Sequence, residues 1–193
     1  MVTRQLLGRE ERQASILRGA AQAFARAGFA GTSMDDVAAA AGITKLIVYR
    51  HFESKEELYR AVLQRVSSRL ADELVAALDR PQPRAIGARV LLTVAREDPD
   101  GFVLLWRHAA REPGFADYAA EFRAGAVEAA RTLLATGFGD PVVERWAAEA
   151  VVGFLVEAVL AWLDAGDPAR DDEMVDLCTN AVRAMRDAWS SST

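Results

Sequence analysis

Apolar positions recur every three to four residues along almost the whole chain, and no stretch alternates β-branched residues at every second position, so the pattern predicts helices from end to end. The first runs from about Arg9 to Ala27, with Leu17, Ala20, Ala21 and Phe24 on one stripe and Gly28 as its stop. Ser33, with Asp36 three residues on, opens a short second helix whose Ala38 to Ala41 let a neighbouring helix pack closely. Gly42 supplies positive φ, and Thr44 caps a third helix near Lys45 to Arg50 almost at once. In that helix Val48 turns inward with Ile43 and Phe52, which leaves Thr44, Lys45, Leu46, Ile47 and Tyr49 on or near the outer surface. A fourth helix opens at Ser54, with Glu57 as its reciprocal partner, and carries Leu58, Val62, Val66, Leu70 and Leu74 to Pro81. Its two dozen residues, at ~1.5 Å each, span roughly 36 Å and reach from one unit into another.

Beyond Pro81 the punctuation is Pro83, Asp98-Pro99-Asp100-Gly101, Pro113-Gly114, Gly137-Phe138-Gly139-Asp140-Pro141 and Gly166-Asp167-Pro168. It cuts out five further helices, near 84–97, 99–111, 114–136, 141–165 and 170–189. The predicted fold class is all-α, about nine helices: an N-terminal three-helix helix-turn-helix unit (1–55) and a larger helical domain (56–193). The 141–165 helix is apolar on nearly every face and so needs cover on every face; a second copy of the chain is the economical cover. Val152, Leu155, Val159 and Trp162 on it, with Met174, Cys178, Ala181 and Met185 on the last helix, are expected to form a symmetric four-helix homodimer interface. Glu157, the lone charge in that apolar run, needs an arginine, the second subunit or a ligand as partner. Phe102, Trp106, Phe115, Tyr118 and Phe122 are either ordinary core or, with Glu157, the lining of a site for a largely apolar or aromatic small-molecule effector.

Composition sharpens this picture in two places. The 193-residue chain carries a net charge of −5, but the charge is divided: seven Lys or Arg against four Asp or Glu through residue 52, then sixteen against twenty-four. Phosphate binding follows the local patch, and the basic end is the helix-turn-helix end. A single cysteine, Cys178, excludes an internal disulfide and fits a reducing compartment. The first residues, MVTRQLLGREERQ, have no apolar stretch of the secretory kind, and the longest apolar run, Val151 to Leu163, contains Glu157 and is short for a bilayer. A cytoplasmic protein with no membrane partner is expected. His108 has no second histidine or cysteine at ligand spacing, so neither metal nor cofactor is expected. No nucleophile elbow, phosphate loop or zinc-protease motif is present, and Asp98 to Gly101 reads as a turn and helix cap, not a calcium loop.

These residues carry a resemblance. Gly31-Thr32-Ser33, Asp36-Val37-Ala38, Ala41-Gly42-Ile43-Thr44-Lys45, Val48-Tyr49-Arg50-His51-Phe52 and Ser54-Lys55-Glu56-Glu57-Leu58 together make residues 9 to 60 similar to the N-terminal domain of the tetracycline-repressor (TetR) family of bacterial transcriptional regulators. The resemblance implies double-stranded DNA as partner, held at phosphates by Thr32, Ser33, Tyr49, His51 and Lys55 and read at base edges by Thr44, Lys45, Leu46 and Ile47. Lys45 either donates to a guanine or holds a phosphate, and His51 is a phosphate contact or a packing residue. Leu46-Ile47 departs from the family's usual small and hydroxylated pair; both could meet thymine methyls, or one could pack against the first helix. The resemblance further implies a homodimer on a palindromic operator with half-sites roughly 34 Å apart, acting as a ligand-responsive repressor. An activator, and an interaction module that has lost operator reading, are the alternatives.

Overall fold

The protein, seen as a computed structural model, is described over residues 9–80, 85–134 and 139–190. The expected marks at Pro81, Pro83, Gly137 and Phe138, the first eight residues and the Ser191-Ser192 tail lie outside the described residues. Nine α-helices follow one another among the described residues: α1 Arg9–Gly31, α2 Met34–Ala40, α3 Lys45–Tyr49, α4 Lys55–Leu78, α5 Ile86–Glu97, α6 Pro99–Val103, α7 Ala116–Leu134, α8 Pro141–Ala165 and α9 Asp171–Ser190. There is no strand among the described residues.

Helices α1 to α3 and the start of α4 form one bundle around Phe24, Val37, Val48, Leu58 and Tyr59, all fully buried. Helix α4 then continues into a second bundle with α5 to α9. The buried apolar residues are continuous from Ile16 to Cys178, so no gap in the core marks a division at residue 55. Between α1 and α2 the approach is close enough to need a glycine: a Cβ on Gly19 would lie 2.6 Å from the backbone nitrogen of Ala41.

The regular part of α1 stops at Gly28, as expected: φ 72° and ψ 171° there are not helical and are a conformation only glycine takes without strain, and a short further turn holding Phe29 follows the kink. The expected 99–111 helix is broken. α6 gives way to a π turn at Leu104–His108, where Ala109 N–H reaches back five residues to Leu104 O, and then to a 3-10 turn at Ala109–Arg111. Asp98 caps α6 through Gly101 N–H at 3.1 Å and takes Arg65 Nη2 at 2.7 Å, as befits a cap and not a cation loop. Asp171 joins three helices, accepting from Arg96 Nη2 at 2.8 Å and Trp162 Nε1 at 2.7 Å.

Helix α8 corrects two expectations. With 25 residues and a mean hydropathy of 1.7 over its most apolar stretch, it is long and apolar enough to cross a membrane by length and composition. Here it packs against α5, α7 and α9. Only one side of it is covered: Val152, Leu155 and Val159 are buried in the chain's own core, together with Met174 and Cys178 of α9, and none of the five is available to a second subunit. Trp162, Ala181 and Met185 are half-buried. The outward stripes are Trp146, Ala150, Phe154 and Ala161 on α8, and Leu177, Ala181, Ala184 and Ala188 on α9, of which Ala181 alone belongs to the expected set, with Trp146 54% and Leu177 63% exposed. On a helix apolar all round, spacing alone does not say which stripe turns inward.

Gly19→Ala tests the α1–α2 contact. Alanine gains ~1 kcal/mol of helix propensity, but a backbone clash that no rotamer relieves costs about 1–3 kcal/mol, so a net loss is expected as a lowered denaturation midpoint. An unchanged or raised midpoint would contradict the packing.

Candidate nucleic-acid interface and effector cavity

The helix-turn-helix is fixed by caps at each end. Ser33 Oγ accepts Asp36 N–H at 3.2 Å while Asp36 Oδ2 accepts Ser33 N–H at 2.8 Å and the Ser33 hydroxyl at 2.6 Å. The hydroxyl's bond to Asp36 holds that carboxyl below its ordinary value. At the other end Gly42 sits at φ 67°; its N–H bonds Ala39 O at 3.1 Å and Ile43 N–H bonds Ala38 O at 3.0 Å, which closes α2 with both bonds of a Schellman turn. Thr44 starts α3 in extended conformation and its hydroxyl caps no backbone N–H.

Five-residue α3 therefore stands on Val48, its one fully buried side chain, with Ile47 half-buried beside it and its other side chains exposed. Thr44, Lys45, Leu46 and Tyr49 are exposed, Leu46 to 64%. Ile47 is half-buried against the core, so of the two apolar residues Leu46 projects and Ile47 packs. Lys45 Nζ donates to Asp35 Oδ2 on α2 at 2.7 Å, and that hydrogen bond raises its pKa and keeps it charged. An exposed pair of this kind is weak and screened by salt, so it gives way to a competing phosphate or base. Ser33 is exposed, His51 half-buried, and Arg50, outside the predicted set, is exposed directly beyond α3. Its position between Tyr49 and His51 was the available signal.

Two predicted phosphate holders have other work. Thr32 is only 3% exposed, and its hydroxyl lies 2.7 Å from Gly28 O and 3.1 Å from Ala23 O, turned into the protein. Lys55 Nζ donates to Phe29 O at 2.8 Å and Thr32 O at 3.0 Å and rests 4.4 Å from the centre of the Phe29 ring. Both residues donate to carbonyls around the Gly28 break, Thr32 to Gly28 O and Lys55 to Phe29 O.

The second bundle contains a solvent-open cavity of about 430 Å³ between α4, α5, α7 and α8. Trp106 and Phe122 line it, as expected, with aliphatic residues such as Leu70, Leu74, Val90 and Leu91 and the carboxylate Glu121. Trp106 Nε1 is buried with no hydrogen-bond partner. The other predicted members are elsewhere. Phe102 is fully buried core. Phe115 belongs to an aromatic cluster with Phe29 and Tyr59, at 5.2 and 4.4 Å between ring centres, and Tyr118 shares a 2.6 Å hydrogen bond with Ser67. Glu157 is not buried: its side chain is 66% exposed and pairs with Arg107 Nη2 at 3.1 Å. Val152 and Leu155, expected between subunits, are cavity residues. Small aliphatic lining residues cannot be told from core by sequence, which is why they were missed.

A capped helix-turn-helix that holds out a short helix by one buried valine, mounted on a larger helical bundle, is the build of a DNA-binding transcriptional regulator. Comparison with known proteins agrees. Residues 16–62 match the model of bacterial regulatory proteins of the tetR family. An HTH-type transcriptional regulator of Mycobacterium tuberculosis, Rv0472c, is 30% identical over 178 residues, 88% of this chain and 74% of that one. The HTH-type transcriptional activator FasR of Mycolicibacterium smegmatis is 28% identical over 176 residues, 88% of this chain and 80% of its own. A TetR-like transcriptional regulator from Rhodococcus sp. RHA1 superposes with a TM-score of 0.75 at 26% identity, covering 92% of this chain and 96% of that one. The chain belongs to the TetR family; it is a helix-turn-helix transcriptional regulator and not an enzyme.

Lys55→Ala separates the two roles of that residue. Loss of its two carbonyl contacts is expected to cost about 1–2 kcal/mol of stability while leaving the slope of log affinity against log salt unchanged in DNA titrations. A slope flattened by about one unit, with stability intact, would return Lys55 to the phosphate set.

Proposed function

We propose that the protein is a homodimeric, effector-responsive repressor that sets α3 of each subunit into successive major grooves of a palindromic operator. The observation that carries this reading is the exposure of Thr44, Lys45, Leu46 and Tyr49 on one short helix whose backbone is fixed by caps. Lys45 and Thr44 supply donors for base edges, Leu46 an apolar surface for a thymine methyl, and Ser33, Tyr49, Arg50 and His51 flank the helix as phosphate partners. Residues 1–55 act as the reader and 56–193 as the effector-binding and dimerising part, in the cytoplasm where the DNA is.

The second subunit joins through the outward stripes of α8 and α9. Trp146, Leu177 and the row of alanines at 181, 184 and 188 offer an apolar, close-packing surface. The cavity of about 430 Å³ takes the effector. Because α4 runs from the reader into the cavity wall, a ligand that binds better to one setting of α4 shifts the spacing of the two α3 helices. A dimer that covers a promoter represses it. The name of FasR favours a second reading, activation, which differs only in where the operator lies.

Fluorescence anisotropy with DNA from the chain's own upstream region is expected to show sequence-specific binding that weakens steeply with salt; binding equal to that of shuffled DNA would end the proposal. Leu46→Ala is expected to reduce discrimination at one A·T pair by ~1 kcal/mol and leave non-specific affinity unaltered. Leu177→Glu should give a monomer by sedimentation, whereas a dimer that survives it places the interface on another face.

A further inference from the structure

The effector cavity does not stand alone. A second groove, of about 700 Å³, lies between the start of α5, the end of α7, and α8 and α9. Gly87, Ala130, Leu133 and Leu155 line both, so the two spaces meet along a shared wall. Gly87 sits at that junction, where a Cβ would lie 2.8 Å from Leu155 Cδ1. The inner space is apolar apart from Glu121; the outer one is bordered by the polar face of α9, with Asp176, Thr179, Asn180, Arg183 and Arg186 at helical spacing.

Charge is therefore separated between two adjoining spaces. Glu121 stands nine residues before Ala130 on α7, about 14 Å along the helix from the shared wall, at the end away from α9. At the α9 end the groove is lined by two guanidiniums and the carboxylate of Asp176, with Asp187 beside Arg186. Arg183 makes a single long contact, 3.4 Å to Asn180 Oδ1, and Arg186 shares the exposed Asp187 through Nε and Nη2, at 3.1 and 2.8 Å. A guanidinium has five donors, so both keep capacity for an oxyanion, and the forked geometry suits carboxylate or phosphate.

We propose that the two adjoining spaces open into one channel that takes an anionic amphiphile, with its apolar chain in the inner cavity and its carboxylate or phosphate head on Arg183 and Arg186. Glu121 repels the head from the inner end and so fixes the direction of entry. This deepens the effector reading, and rests on it only for the consequence at DNA.

Calorimetric titration of the full chain with decanoate, decyl phosphate, decanol and decyltrimethylammonium, each below its micelle concentration, tests it. The two anions are expected to bind about ten-fold more tightly than decanol, as one charge-assisted contact gives, and the cation most weakly. The tighter of the two anions identifies the head. Arg183→Gln with Arg186→Gln is expected to bring both anions to the level of decanol while decanol binding stays the same; Arg183→Gln alone, on the exposed side of α9, gives a partial loss if the double variant folds poorly. Decanol binding as well as the anions in the natural chain, anion preference surviving the double variant, or no binding by any probe overturns the proposal. Arginine-dependent anion binding that leaves operator affinity untouched supports the channel and overturns the effector reading instead.

Discussion

Phe29 is the side chain on which the two halves of the molecule meet. The left-handed turn at Gly28 places it beyond the body of α1, where its ring lies 6.0 Å from Phe24, 5.2 Å from Tyr59 and 5.2 Å from Phe115, with the Lys55 ammonium over its face. Its N–H reaches Glu112 Oε1 at 3.4 Å and its carbonyl takes Lys55. Phe24 belongs to the reader, Tyr59 to the long α4 and Phe115 to the bundle that holds the cavity. Phe29 meets Tyr59 and Phe115 edge-to-face and stacks on Phe24, contacts that add to burial and fix the orientation of α1 against α4. Burial, with a smaller push from Glu112, raises the pKa of the Tyr59 hydroxyl, which lies in the cluster with no hydrogen-bond partner. That orphaned group is a cost the cluster carries.

Much of this was legible in the chain. Caps and glycines are local chemistry, and Ser33-Asp36, Gly42 and Ser54-Glu57 placed α2, α3 and the start of α4 to within a residue or so. Val48 as the anchor of α3 followed from periodicity. Where the structure gives a predicted site residue other contacts, the cause is that more than one environment suits the same side chain. Thr32 and Lys55 have side chains that satisfy a phosphate or a helix-end carbonyl equally well, and only the Gly28 break decides between them. Val152 and Leu155 lie on a helix with two apolar faces, and the phase that turns inward depends on α5 and α7, which no local signal fixes. Phe115 looked like pocket lining because an aromatic at a domain junction has the same composition as one in a cavity.

The division of labour along the chain follows from where charge and grease are tolerated. The reader is small, basic and rigid, held by hydrogen bonds that face no ligand. The larger bundle is tied by ion pairs, Arg65–Asp98 joining α4 to the cap of α6 and Arg96–Asp171 joining α5 to the start of α9. Small residues, Gly87, Ala126, Ala129 and Ala130 among them, line the cavity. On the outward faces of α8 and α9, Trp146 and Leu177 are left exposed by the chain's own core.

Selection of bound fragments from random double-stranded DNA by the full-length protein addresses the central claim most directly. The account predicts enrichment of an inverted repeat, its half-sites about one helical turn apart, roughly 34 Å, with an A·T pair at equivalent positions of both halves. Enrichment of a lone half-site, of a direct repeat, or of no sequence at all would contradict it.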